Sequence, residues 1–342
     1  MRRTSFAAAF AILAFAVFPG LQCWGQQVGP MRPPGSSPAP PQQQQANQIP
    51  HSPQTLKSQV NLVNVFVTVR SKDHSIVTGL TKDDFKVYED GVEQKVEFFS
   101  RETDVPITLA MLMDTSGSMY RILPAEKDAA SRFVREVLRK RDEAMVMSFD
   151  TDVDMLADFT EDPSTLDEGI QRAQINVDAS GIGGTAGTIP SQGGGTNLYD
   201  AVYLACHDQL GQEAGRKALV ILSDAEDNGS KMSENDAIES AQRADAVIHF
   251  LLIRDFSAIE GYGAGVAHRM AEQTGGRVID IHGEKSLDKA FDELTEELHS
   301  QYLVSYTPSN DKRDGTYRKI HVEVDKPDAK LLARKGYYAP WH

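Results

Sequence analysis

A chain of 342 residues, 40% hydrophobic and 25% charged, has room for about two folded units and the make-up of an ordinary globular protein. Its formal charge of −14 argues against nucleic acid and anionic membrane surfaces as natural partners, since both would repel it. The nine histidines show no H-E-x-x-H spacing, which disfavours a zinc hydrolase.

The chain begins with Arg2 and Arg3 ahead of an unbroken apolar stretch from Phe6 to Phe18. A bilayer span needs ~20 apolar residues, so this stretch has the length of a signal-peptide core instead. Cys23 and Gly25 permit cleavage before Gln26, and residues 1–25 are read as a signal peptide. Gln22 fits poorly before a lipidated Cys23, which makes lipidation the second reading and an uncleaved anchor the third. Loss of Arg2 and Arg3 moves the charge from −14 to −16. The mature chain then keeps only Cys206, which lies in the apolar helical pattern Leu198 to Leu210 and reads as a buried small hydrophobe. Without a disulfide, an exported protein relies on its core and on any bound metal. Residues 26–57 hold eight of the sixteen prolines and the run Gln42 to Gln45, a composition expected of a tether.

From Val60 the texture changes. Val63, Val65, Val67 and Val69 alternate with Asn64, Phe66 and Thr68, the period of a strand. Phe85 to Tyr88 and Val96 to Phe99 flank Glu89-Asp90-Gly91-Val92, whose Asp-Gly pair predicts a turn. Residues 58–102 are therefore expected to form a small β unit. Over 103–300 the sequence alternates apolar strands (Ile107–Met113, Ala144–Phe149, Ala218–Ser223, Val247–Ile253, Arg277–Ile281) with helical patterns near 125–140, 164–174, 197–211, 234–244, 264–274 and 286–300. Nearly continuous apolar strands between helices predict a doubly wound, mostly parallel sheet covered on both faces. Residues 301–342 return to β texture, with strands at Tyr302 to Tyr306, Arg318 to Val324 and Leu331 to Tyr338. These short amphipathic strands need a partner sheet. Pairing with residues 58–102 would make the α/β domain an insertion between two halves of a small β-sandwich.

Three loops carry the chemistry. Asp114-Thr115-Ser116-Gly117-Ser118 follows the first buried strand, Gly193-Gly194-Gly195-Thr196 precedes the helix at Asn197, and Asp224 follows the strand ending at Ser223. In open α/β sheets, ligands bind beyond the carboxyl ends of the strands. Asp114, Ser116, Ser118, Thr196 and Asp224 thus offer three hydroxyls and two carboxylates to one spot, a donor set suited to Mg²⁺ or another hard divalent ion. Neutral hydroxyls leave the ion positive charge toward an open position, where an acidic side chain of a partner protein would complete the shell. A helix cap explains one residue of the first loop but not donors in three loops. Asp150, Asp152 and Asp154 lack the glycine and final glutamate of a calcium loop and read as a solvated acidic turn.

These pieces resemble the von Willebrand factor type A domain. The likeness rests on Asp114-Thr115-Ser116-Gly117-Ser118-Met119, Gly194-Gly195-Thr196-Asn197-Leu198-Tyr199-Asp200-Ala201 and Val220-Ile221-Leu222-Ser223-Asp224-Ala225-Glu226-Asp227-Asn228, and covers roughly residues 105–300. It implies a metal-ion-dependent adhesion site in which Ser116, Ser118 and Thr196 ligate the ion directly and Asp114 and Asp224 act mostly through water. The flanks, Thr78 to Gly91 and Arg334 to Pro340, are similar to those of a bacterial exported subgroup. The chain departs from the family in a long Gly-, Ser- and Thr-rich stretch from Asn176 to Gly195, which carries a second Gly183-Gly184-Thr185. Thr196 is preferred because a helix pattern follows it at once.

The reading is a periplasmic or extracellular binding protein, not an enzyme, that grips a partner carboxylate through Mg²⁺, with Mn²⁺ or Ca²⁺ as alternatives. Its rivals are a structural envelope protein and a hydrolase using Ser116 or Ser118, although no G-x-S-x-G elbow surrounds either serine.

Overall fold

Period-two burial builds the first strands. The structure, a computed structural model, describes residues 62–102, 105–175, 195–254 and 262–341. The signal-peptide and tether readings, and Thr185, lie outside them. Strand β1 (Val63–Arg70) buries Val63, Val65, Val67 and Val69 on one face. Strand β2 (Phe85–Glu89) turns through Asp90 and Gly91, both at positive φ (49° and 81°), into β3 (Val92–Gln94). The hairpin partner of β2 is thus β3, not the segment from Val96. That segment is β4 (Val96–Glu102), which joins another sheet. Gln94 and Val96 both point inward around the exposed Lys95, so the chain changes sheet at Lys95 while serving the same core.

Strand β5 (Ile107–Asp114) is buried at all eight positions, which only a central strand covered on both faces allows. It is followed by α1 (Leu123–Val137), β6 (Glu143–Phe149), β7 (Val153–Thr160) and α2 (Pro163–Arg172). Next come α3 (Leu198–Leu204), which continues through a π turn at Ala205–Gln209, then β8 (Arg216–Ser223) and α4 (Glu234–Arg243). The unit closes with β9 (Ala246–Ile253), α5 (Tyr262–Thr274), β10 (Val278–Ile281) and α6 (Leu287–Leu298). The sheet order is β10-β9-β8-β5-β6-β7, parallel except for β7. Helices α1, α2 and α6 supply the core of one face, and α3, α4 and α5 that of the other. Cys206 is fully buried in the second core, where burial pushes its thiol up to about 12. Asp150 and Asp152 sit in a turn, as expected, but Asp154 stands on the unexpected strand β7. That edge strand buries only Ala157 fully, so it carries no apolar period to read.

The chain then enters β11 (Gln301–Tyr306), β12 (Tyr317–Val324), β13 (Lys330–Leu332) and β14 (Gly336–Tyr338). One strand was expected from Leu331 to Tyr338. Instead β13 pairs with β1 and β14 with β12, and the chain crosses between sheets at 333–335. The crossing lands on Gly336, where a Cβ would lie 2.3 Å from the Tyr317 ring. The two antiparallel sheets, β13-β1-β11-β4 and β14-β12-β2-β3, enclose one core in which Phe85 meets Phe99 and Tyr302 at 5.5 and 5.3 Å between ring centroids. The α/β unit is inserted between the two sets of sandwich strands.

A buried carboxylate joins the two parts. Glu297 of α6 is paired through Oε2 with Arg70 of β1 at 3.1 Å and with Arg277 at 2.5 Å. Removing one member of such a group strands the others' charge, a loss of about 3–5 kcal/mol. Glu297→Ala is expected to lower stability by that amount in urea unfolding followed by circular dichroism.

Candidate metal centre

The first loop starts where β5 stops. Asp114 is the last residue of the strand and has no exposed surface. Its Oδ1 accepts from the Ser116 N–H at 2.9 Å and its Oδ2 from the Ser223 hydroxyl at 2.6 Å, which ties the ends of β5 and β8 together. Ser116 is extended (φ −65°, ψ 163°) and opens a 3₁₀ turn, Gly117–Arg121, that turns the chain into α1. This geometry sets the Ser116 and Ser118 hydroxyls 3.0 Å apart, with Ser116 buried and Ser118 exposed.

The Asp224 loop is held in a conformation that few residues adopt. Ala225 lies at φ 59°, a left-handed geometry unusual for alanine. The first turn of α5 presses on the same loop: a Cβ at Gly263 would stand 2.3 Å from the Asp224 carbonyl oxygen. Thr196 is fastened to the Asp224 loop by Asn228, whose Oδ1 accepts from the Thr196 N–H at 2.7 Å and whose own N–H donates to the Thr196 carbonyl at 3.1 Å. Asp150 links the remaining sides. Its carboxylate accepts from the Thr115 hydroxyl at 2.8 Å and its carbonyl from the Asn197 N–H at 2.7 Å.

The structure brings Asp114, Ser116 and Ser118 into one group, with Asp224 close enough to act on the charge of Asp114. The loop of Thr196 is tied to its neighbours by bonds to Asn228 and, through Asn197, to Asp150. The supporting residues Asp150, Ser223 and Asn228 were not singled out in the sequence as serving the site. Ser223 and Asn228 stand inside the motif itself, but Asp150 had no local signal, because its role depends on two loops meeting across the chain.

Electrostatics show what this pocket needs. Burial first, and then Asp224, push the Asp114 carboxyl from the ordinary 3.8 up to about 7, against the hydrogen bonds from Ser116 and Ser223. Glu126 of α1 is fully buried, and both its oxygens lack a hydrogen-bond partner. Burial, then Asp114 and Asp224, raise its carboxyl well above the usual range. Among the described residues, no three of His, Cys, Asp and Glu are gathered so as to hold a metal ion. Hydroxyl oxygens backed by carboxylates fit a hard divalent cation.

Comparison with known proteins agrees with the fold. Residues 109–226 match the model of the von Willebrand factor type A domain. Similar solved structures include a von Willebrand factor type A protein from Catenulispora acidiphila (15% identity, 75% of this chain and 74% of that one, TM-score 0.46). Another is the conserved hypothetical protein BatB from Bacteroides thetaiotaomicron (17% identity, 57% of this chain and 100% of that one, TM-score 0.42). A third is proximal thread matrix protein 1 from the mussel byssus, solved with a zinc-occupied MIDAS motif (16% identity, 58% of this chain and 50% of that one, TM-score 0.44). The chain spans about half the length of that byssus protein. No curated protein matches the sequence.

The raised Asp114 carboxyl predicts a pH dependence in the cation-free protein. Below pH 3.8 the acid is neutral whether folded or unfolded, and its contribution to stability is whole. As pH rises the unfolded chain ionises first, so stability falls until the folded carboxyl ionises as well, at about 7. At roughly 1.4 kcal/mol per tenfold change in proton affinity, the loss is on the order of 4 kcal/mol. Glu126 adds a decline of the same sign. Denaturation in chelator between about pH 4 and pH 8 should show this fall, and Asp114→Asn should remove its own share. A divalent cation, which favours the ionised form, should reverse the slope.

Proposed function

We propose that the chain is an exported, non-enzymatic binding module that engages an acidic side chain of a partner protein through a divalent cation. Asp114, Ser116, Ser118, Thr196 and Asp224 would hold the ion, with Mg²⁺ favoured over Mn²⁺ or Ca²⁺ by the small, hard donor set. One observation carries the reading: two neutral hydroxyls stand 3.0 Å apart beside a buried carboxylate whose two oxygens already accept bonds from Ser116 and Ser223. Asp114 therefore orients and supplies charge, while the hydroxyls remain free to offer lone pairs. When bound, the cation supplies a Lewis-acidic centre with a position open to a carboxylate oxygen.

Each residue has a separate task. Ser116 and Ser118 bind without cancelling positive charge. Asp150 and Asn228 set Thr196 by holding the backbone on either side of its hydroxyl. On this reading residues 103–300 form the binding domain, and 58–102 with 301–342 form the sandwich that carries it. Residues 1–25 direct export and 26–57 tether the module in a periplasmic or extracellular setting. Among the described residues no helix is long and apolar enough to cross a membrane.

A hydrolase using Ser116 or Ser118 is less favoured. Asp114 stands beside Ser116, but both its oxygens already accept bonds from Ser116 and Ser223, and no G-x-S-x-G elbow surrounds either serine.

The test is a pull-down from envelope extract with wild type and Ser116→Ala, with and without chelator, alongside hydrolysis of generic esters. Chelation should abolish capture, and the substitution should weaken it at least about tenfold, with no ester turnover by the parent. Robust parental turnover lost in Ser116→Ala would establish the hydrolase. Chelation that alters stability alone would establish the structural role.

A further inference from the structure

Glu126 has no evident reason to be a glutamate if α1 only covers the sheet. It sits in the first turn of the helix, its N–H bonded to the Ile122 carbonyl at 3.0 Å, and its side chain is closed off from water. Neither carboxylate oxygen meets a donor. A buried acceptor with no partner is rare in folded proteins and costly to keep. The charged groups that act on it are Asp114, at the end of β5, and Asp224, after β8. Both are carboxylates and both belong to the proposed site.

The three acids stand in a particular relation. Asp224 acts on Asp114 and both act on Glu126, yet the three are not gathered so that one ion touches all of them. A hard divalent ion such as Mg²⁺ keeps several waters, and those waters need acceptors. Asp114 already accepts on each of its oxygens, whereas Glu126 accepts on neither. We propose that Glu126 is a positioning residue of the cation site, accepting hydrogen bonds from water in the shell of the bound ion and so fixing that shell. The inference rests on the divalent-cation reading above and adds to it a residue eight positions beyond Ser118, outside the three motif loops. It also explains the missing donor: the partner of Glu126 arrives with the cation.

The test uses the full chain and Mn²⁺ as probe, by titration calorimetry and by thermal unfolding in Mn²⁺ and in chelator. Glu126→Gln keeps shape and volume, and should weaken Mn²⁺ binding about 10–100-fold. In chelator it should unfold at the same temperature as wild type or higher, because the unpartnered acid is gone. Glu126→Leu, which fills the space with an apolar side chain, should behave likewise. Unchanged Mn²⁺ affinity in Glu126→Gln overturns the inference, as does a loss of stability in chelator as large as that in Mn²⁺, or failure of both variants to fold. Asp224→Ala separates the two levels. If wild type and Asp224→Ala bind Mn²⁺ equally weakly, the divalent-cation reading itself falls. If wild type binds, Asp224→Ala does not, and Glu126→Gln is unaffected, only the role of Glu126 falls.

Discussion

Asp114 is a carboxylate with no access to water, and the arrangement of the candidate site follows from how it is held. The Ser116 N–H and the Ser223 hydroxyl grip its two oxygens from the ends of adjacent strands. The first bond fixes the extended backbone of Ser116 that opens the 3₁₀ turn, and with it the meeting of the two serine hydroxyls. The second fixes Ser223, whose hydroxyl also accepts the Ala225 N–H at 2.9 Å and so helps hold Ala225 at positive φ. One buried acid thereby sets two of the three loops. The same burial drives its carboxyl to about 7, near neutrality, where the presence or absence of positive charge decides which form prevails.

The topology explains why the acid stands here. The chain leaves β5 through α1 to β6 on one side, and later returns to β8 on the other. In open α/β sheets ligands bind where the loops beyond the strands' carboxyl ends diverge in this way. The Thr196 loop is pinned by Asp150 from the β6 side and by Asn228 from the β8 side. Backbone bonds on both sides mean that the hydroxyl is placed by the scaffold rather than by its own rotamer alone.

The parts legible in the sequence were those whose signal is local. Strand β5 could be read because all eight of its residues are buried, which leaves a continuous apolar run, and Asp114, Ser116 and Ser118 because they follow that run at once. Strand β7 was not legible: an edge strand with one buried residue has no apolar period. Strand β3 was hidden because three residues are too few to show alternation, and the turn at Asp90 and Gly91 was therefore assigned to the wrong partner. The split of 330–338 into β13 and β14 depends on contacts with β1 and Tyr317, far away in the chain. Glu126 illustrates the same limit at the site. In sequence it is one acid among 49 acidic residues, and only the fold reveals that it is buried, unpartnered and beside Asp114.

The two ends of the parallel strands are chemically opposite, and this separates anchorage from recognition. At the amino end of β8, Arg216 donates to Gln301 at 3.2 Å, and Gln301 lies within 3.4 Å of the Thr68 hydroxyl of the sandwich. Arg70, Arg277 and Glu297 add their ion pairs to this junction. At the carboxyl ends stand Asp114 and Asp224, with Glu126 in the first turn of α1, and the charges that act on Asp114 and Glu126 are carboxylates. Strands of eight residues rising about 3.3 Å each put roughly 25 Å between these regions. The basic residues that anchor the sandwich are therefore too far from the acids to form ion pairs with them. The ion pairs at the amino ends thus tie the α/β unit to the sandwich, whereas at the carboxyl ends Asp224 raises the proton affinity of Asp114 and both raise that of Glu126.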